Sequence, residues 1–242
     1  MIENRFQGRF LGVLGGMGPL AGAFFMTRLV ALTEAERDQQ HMPAVLWNDP
    51  RIPDRLAACF GNGEDPLPWM QNGIDRLVGM GAGAIAIPCN TAHIWYERLA
   101  AATPVPVLHI VQSVLNALRR RGVDRGRIGL MGTSATLGLG LYQRALQAQG
   151  YECVVPSAEE IERYCTPCIA LVKTNRIEQS LAPALECIRL LRDRGIDALV
   201  LGCTELPLAL PEPQRLALGL PVVDSVDALA IDALSWYRSE SA

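Results

Sequence analysis

The sequence predicts an α/β protein of two pseudo-symmetric lobes, each a parallel sheet flanked by helices, with the functional site in the cleft between the lobes. Three observations carry this. Short apolar runs of strand length alternate with helical patterns along nearly the whole chain, as parallel strands covered on both faces do. The chain also repeats itself: "GVLGGMG" (12–18) matches "GLMGTSA" (129–135) as strand, Gly and small turn. A strand ending in Cys follows each at nearly the same distance, 74 residues from Gly15 to Cys89 and 71 from Gly132 to Cys203. After each Cys come a helix, a Pro-Val strand ("PVPVLHI", "LPVVDS") and a further helix. Such spacing marks two copies of one unit related by a pseudo-twofold axis.

Taken in order, strands are expected at 10–14, 44–47, 84–87 and 105–108 in the first copy, and at 127–131, 152–155, 198–202 and 221–223 in the second. The stretches 20–37, 69–80, 110–121, 136–149, 177–194 and 226–237 read as helices, the last opened by Asp224 or Ser225 as N-cap. In the first copy the helix 110–121 leads onward into the second lobe. By symmetry the last helix returns to the first. Lobe one is therefore expected at 1–108 plus 225–242 and lobe two at 109–224, joined by two crossing connections that make a tight hinge.

Composition narrows the function. With 242 residues, half of them apolar, the chain can bury roughly 75% of its unfolded surface without metal or disulfide staples. A net charge of −3 with no basic block gives nucleic acid binding no electrostatic support. No uninterrupted apolar stretch is long enough for a membrane span. The leader "MIENRFQGRFLGVLGG" does not read as a signal peptide. Seven scattered cysteines point to reduced thiols in a cytoplasm. Of the 22 basic residues, all but Lys173 are arginine.

Ligands of open parallel sheets bind at the carboxyl ends of the strands, where Cys89 and Cys203 are expected. Each stands at or near the start of a helix, whose backbone N–H groups favour an anion and lower a thiol pKa. Either Cys alone reads as a small core residue. As a symmetric pair, followed by Asn90-Thr91 and Thr204-Glu205, they read as acid/base groups on opposite walls of the cleft. Two such groups facing one carbon are what inversion of a stereocentre needs: one removes a proton and the other delivers one to the opposite face. Other motifs are weaker. "CTPC" (165–168) has no second pair of zinc ligands, so no metal is expected. "GMGPLA" (16–21), with Asp49 as a ribose ligand, imitates a dinucleotide loop, but Pro19 removes an N–H and the motif is not repeated near 132. His93 reads as a core histidine or a neighbour that supports Cys89, and Glu205 either tunes Cys203 or caps the next turn.

The motifs "GGMGPLA" (15–21), "ERDQQH" (36–41), "PRIPDR" (50–55), "GEDP" (63–66), "PCNTAH" (88–93), Lys173 and "GCTEL" (202–206) occur in this order along nearly the whole chain. With them the sequence resembles the aspartate/glutamate racemase superfamily, and within it the aspartate racemase branch. Gly-Gly-Met-Gly and Cys-Thr-Glu set it apart from the glutamate racemase branch, which carries Asp-Ser-Gly and Cys-Thr-His there. The resemblance implies a cofactor-free racemase with Cys89 and Cys203 as its two bases. It implies that Asn90, Thr91 and Thr204 hold the α-carboxylate, that Met17, Thr133 and Ser134 line the pocket, and that Arg55 and Lys173 clamp a side-chain carboxylate. It further implies a homodimer. Arg51 departs from many relatives and is expected to be a solvated loop residue. Broad-specificity racemisation, a dicarboxylate decarboxylase or isomerase, and a non-enzymatic amino-acid sensor stay open as alternatives on the sequence.

Overall fold

The protein is described here as a computed structural model covering residues 9–239. The reading of the leader over residues 1–8, and the outermost ends of lobe one, lie outside the described residues. Along the first half run β1 (Phe10–Gly15), α1 (Pro19–Ala31), β2 (Ala44–Asn48), α2 (Arg55–Cys59), α3 (Leu67–Gly79), β3 (Ala82–Ala86), α4 (Tyr96–Ala101) and α5 (Ile110–Arg120). Along the second run β4 (Gly126–Gly132), α6 (Ser134–Gly138), α7 (Gln143–Ala148), β5 (Tyr151–Val154), α8 (Ala158–Glu160), α9 (Thr166–Lys173), α10 (Ile177–Asp193), β6 (Ala198–Gly202), α11 (Leu206–Ala209), α12 (Glu212–Ala217), β7 (Val222–Asp224) and α13 (Ser225–Ser239).

The strands form two wholly parallel sheets, ordered β2-β1-β3 and β5-β4-β6-β7. The orders superimpose as the internal repeat requires: β1 on β4, β2 on β5, β3 on β6. The counterpart of β7, expected at 105–108, is reduced to one bridge between Ile85 and Val107, held by Ile85 N–H to the Pro106 carbonyl and Leu108 N–H to the Ile85 carbonyl. Pro104 and Pro106 lack the N–H donors a longer ladder needs. Two other expectations change for similar local reasons. The helix expected over 136–149 is broken into α6 and α7, with Gly140 between them at φ 69. The helix expected over 20–37 ends at Ala31. Helix α8 continues through a π turn at Ile161–Cys165 into α9, where Pro167 cannot donate to the carbonyl of Arg163.

Alternation along the strands sorts the core into layers. On one face, Leu11, Val13, Ala84 and Ala86 of the first sheet share a cluster with Ile128, Leu130, Ala198 and Val200 of the second. Helices α1, α5 and α13 fill the space between, α13 packing on both α1 and α5. On the opposite faces, Leu14 and Ile85 pack beneath α3, and Met131, Leu199 and Leu201 beneath α9 and α10. The result is helix, sheet, helix, sheet, helix, with one apolar core running across both lobes. Asp224 caps α13, its Oδ1 accepting the Val226 and Asp227 N–H groups at 2.7 and 3.3 Å.

Candidate active site

The two repeats deliver their sulfurs to one place. Cys203 directly follows β6, and Cys89 follows β3 by three residues. Both line a small cavity together with Met17, Arg55, Asn90, Thr91, Thr133, Lys173, Thr204 and Glu205. Leu56, which no motif marks, completes the wall. Met17 comes from the β1–α1 turn, Arg55 opens α2, Thr133 follows β4 and Lys173 ends α9. The cavity is about 10 Å³, roughly the least space that holds one water. An amino acid therefore enters only when the walls part. The larger cavities, of about 340 Å³ beside Trp47 and Trp69, about 360 Å³ beside Arg121 and Arg215 and about 330 Å³ beside His93 and His109, touch neither thiol.

One residue expected to line the pocket does not, and the supporting histidine lies behind the wall. Ser134 opens α6 behind its cap Thr133 and is not among the residues lining the cavity. His93 sits behind Cys89: its Nδ1–H donates to the Cys89 carbonyl at 2.9 Å, and its Nε2 accepts the Ile110 N–H at 3.2 Å. Burial lowers its pKa to about 4, with a smaller contribution from His109. Arg51 is exposed and pairs with Asp49, Nε to Oδ1 at 2.8 Å and Nη2 to Oδ2 at 2.7 Å. Gly16 (φ 97) packs against the Asp49 backbone, where any Cβ would collide.

Polar contacts join the lobes at the site. Asn90 donates from Nδ2 to Ser225 Oγ at 3.0 Å and accepts the hydroxyl of the fully buried Tyr142. Thr91, Thr133 and Thr136 form a closed triangle of hydroxyls at 2.9–3.1 Å. Tyr142 and Thr136 carry no local motif, and only the packing of one lobe on the other brings them here, while Ser225 arrives as the first residue of α13.

The expected acidification of the thiols is reversed. Burial pushes the Cys89 thiol up, although Arg55 and the Ala92 N–H act to lower it. Burial also raises Cys203 well above the ordinary range, with the charge and hydrogen bond of Glu205 adding to it. The reason is local. Cys89 precedes a five-residue 3₁₀ turn, Thr91–Trp95, and Cys203 a four-residue helix, α11. Neither carries the aligned dipoles of a long helix, and desolvation wins. Cys165, Cys168 and Cys187 are packed in the core, Cys165 Sγ standing 3.5 Å from Cys187 Sγ. Among the described residues no group of three His, Cys, Asp or Glu is placed to hold a metal ion, and no helix is long and apolar enough to cross a membrane.

The profile of the Asp/Glu/hydantoin racemases matches residues 14–233, from the end of β1 into α13. The chain belongs to this family. Among solved structures, this racemase is similar to the aspartate racemase of Picrophilus torridus, with 33% identity and a TM-score of 0.84 over 95% of this chain and 94% of the other. Among curated sequences, it is 25% identical to the broad-specificity amino-acid racemase RacX of Bacillus subtilis, over 94% of this chain and 97% of the relative. It is 33% identical to the glutamate racemase of Aquifex aeolicus, over 91% of this chain and 82% of the relative. The protein is thus an amino-acid racemase with the two-lobed α/β fold of its neighbours.

Proposed function

We propose that this racemase interconverts L- and D-aspartate without a cofactor, using Cys89 and Cys203 as paired bases. The observation that carries the reading is the single cavity walled by both thiols and by two side-chain cations, Arg55 and Lys173. A second acidic group on the substrate suits that wall. Arg55 presents a planar fork and Lys173 a point charge, while Asn90, Thr91 and Thr204 offer donors to the α-carboxylate. One sulfur, as thiolate, removes the α-proton from its face. The electron pair left on Cα is delocalised into the held carboxylate. The opposite sulfur, as thiol, returns a proton to the other face, so the two exchange protonation states in each turnover. Cys89 acts on the D-enantiomer and Cys203 on the L-enantiomer. The buried thiols need positive charge to ionise, and Lys173 acts in that direction on both.

In the same reading the lobes are 1–108 plus 225–242 and 109–224, with α13 packing on α1 of the first and on α5 of the second. The protein is a cytoplasmic homodimer, its mass in solution to be checked by light scattering. A panel of L- and D-amino acids, followed by chiral chromatography, tests the substrate. Aspartate should racemise and alanine should not. Equal rates on alanine or methionine would favour the broad-specificity reading. Cys89→Ala and Cys203→Ala should each abolish racemisation, and in deuterium oxide each should exchange Cα hydrogen on opposite enantiomers. Near-normal racemisation by either variant would refute the two-thiol mechanism.

A further inference from the structure

Among the described residues lining the thiol cavity, Glu205 is the one carboxylate, and it is 3% exposed. Its Oε2 accepts the Cys203 thiol at 3.0 Å and the Thr204 hydroxyl at 3.3 Å. Its Oε1 is buried and accepts nothing. A buried carboxylate oxygen with no donor is costly, yet this one belongs to the wall of a cavity. Across the same cavity Arg55 is 7% exposed. Its Nη1 donates to the Ile52 and Pro53 carbonyls, and its Nε donates to nothing. One orphaned anionic acceptor and one orphaned cationic donor thus share a cavity. A ligand that satisfies both carries an ammonium group and a carboxylate on one small frame.

The remaining walls sharpen the assignment. Arg55, Lys173 and Asn90 are donors suited to carboxylates, and among the described lining residues Glu205 alone offers a carboxylate acceptor to a cation. The space beside Oε1 is kept open by Gly18. A Cβ at that position would meet nothing but Glu205 Oε1, at 3.4 Å, and any longer side chain would cover the oxygen.

We propose that Glu205 Oε1 receives the α-ammonium group of the substrate, which makes Glu205 the residue that selects amino acids over their deamino and hydroxy analogues. The proposal rests on the thiol cavity being the racemase site. It also gives the amine a second role. Glu205 holds the neighbouring Cys203 thiol up by its charge and its hydrogen bond. An ammonium group on Oε1 offsets that charge, so the thiol ionises more easily with substrate in place than without it.

The test compares aspartate with succinate, its deamino analogue, on the wild-type protein and on Glu205→Gln, which keeps the side-chain shape and a hydrogen-bond acceptor toward Cys203. Dissociation constants come from calorimetry, and the succinate inhibition constant from racemisation kinetics. Glu205→Gln should weaken aspartate at least tenfold and leave succinate within about twofold, and binding of succinate shows that the variant is folded. Equal weakening of both ligands would overturn the proposal and leave Glu205 a support for Cys203. Unchanged aspartate binding would overturn it too. Failure of the aspartate assignment is a separate result: if the amino-acid panel identifies another substrate, the same comparison is made with that amino acid and its own deamino acid, and the ratio between the two ligands decides.

Discussion

Replacing His93 by Gln should remove a specific part of the acid sensitivity of this protein. The imidazole is 3% exposed. It is held neutral by donating from Nδ1 to the Cys89 carbonyl and accepting the Ile110 N–H at Nε2. Protonation would set an N–H at Nε2 against the Ile110 N–H at 3.2 Å, with only the more distant Leu108 carbonyl, at 3.4 Å, to accept it. The groups facing it are His109, whose ring centre is 5.3 Å away, and Tyr96, stacked at 6.0 Å. Glu97 acts on His109 and not directly on His93. With a folded pKa of about 4 against an ordinary 6.5, the sign follows. Above pH 6.5 both states hold a neutral ring and the stability is fully present. Between 6.5 and about 4 the unfolded chain binds a proton that the folded chain refuses, so stability falls as the pH falls. Below that window both states are protonated. At 1.36 kcal/mol per pH unit, the loss across the window is about 3 kcal/mol. Urea unfolding of wild type and His93→Gln at pH 7.5, 6, 5 and 4 measures it, each compared with itself at pH 7.5. The wild type should lose about 3 kcal/mol more than the variant between the extremes. The glutamine variant keeps an amide donor for the Cys89 carbonyl, so any constant offset cancels. A difference that does not change with pH would refute the reasoning.

Three further outcomes follow from the site. Arg55→Ala and Lys173→Ala together should cost about 2–5 kcal/mol in kcat/KM for aspartate; a double variant with unimpaired kinetics would remove the carboxylate clamp. Tyr142→Phe leaves the Asn90 carbonyl oxygen without its buried donor and should destabilise by about 1–3 kcal/mol in urea unfolding, with a change below about 0.5 kcal/mol ruling out that contact as a clasp between the lobes. Both thiols are buried in a cavity too small for an amino acid, so iodoacetamide should inactivate slowly and aspartate should protect; alkylation of Cys89 and Cys203 that proceeds as fast as that of a free thiol would contradict the closed site.

The parallel strands and the repeat were legible because they depend on local facts. A short aliphatic run bounded by Gly or charge can bury both faces only between two helix layers, and two such series at matched spacing imply one unit used twice. Cys89, Cys203 and their Asn, Thr and Glu neighbours were legible for the same reason, since the carboxyl end of a strand is a position that the pattern itself marks. The strand expected at 105–108 failed where Pro104 and Pro106 withdrew the donors, a signal present in the sequence but outweighed by the β-rich run. The acidity of the thiols was beyond any local reading. It depends on how completely the lobes exclude water and on the Glu205 carboxylate 3.0 Å from Cys203, and desolvation is a property of the whole enclosure. Tyr142, Thr136 and Ser225 reach the site for a related reason: hydrogen bonds between residues 42 to 135 positions apart leave no periodicity in the chain. Sequence patterns determined the two sheets and the two sulfurs at their ends; the packing of lobe on lobe decided how closed, how dry and how charged the space between those sulfurs is.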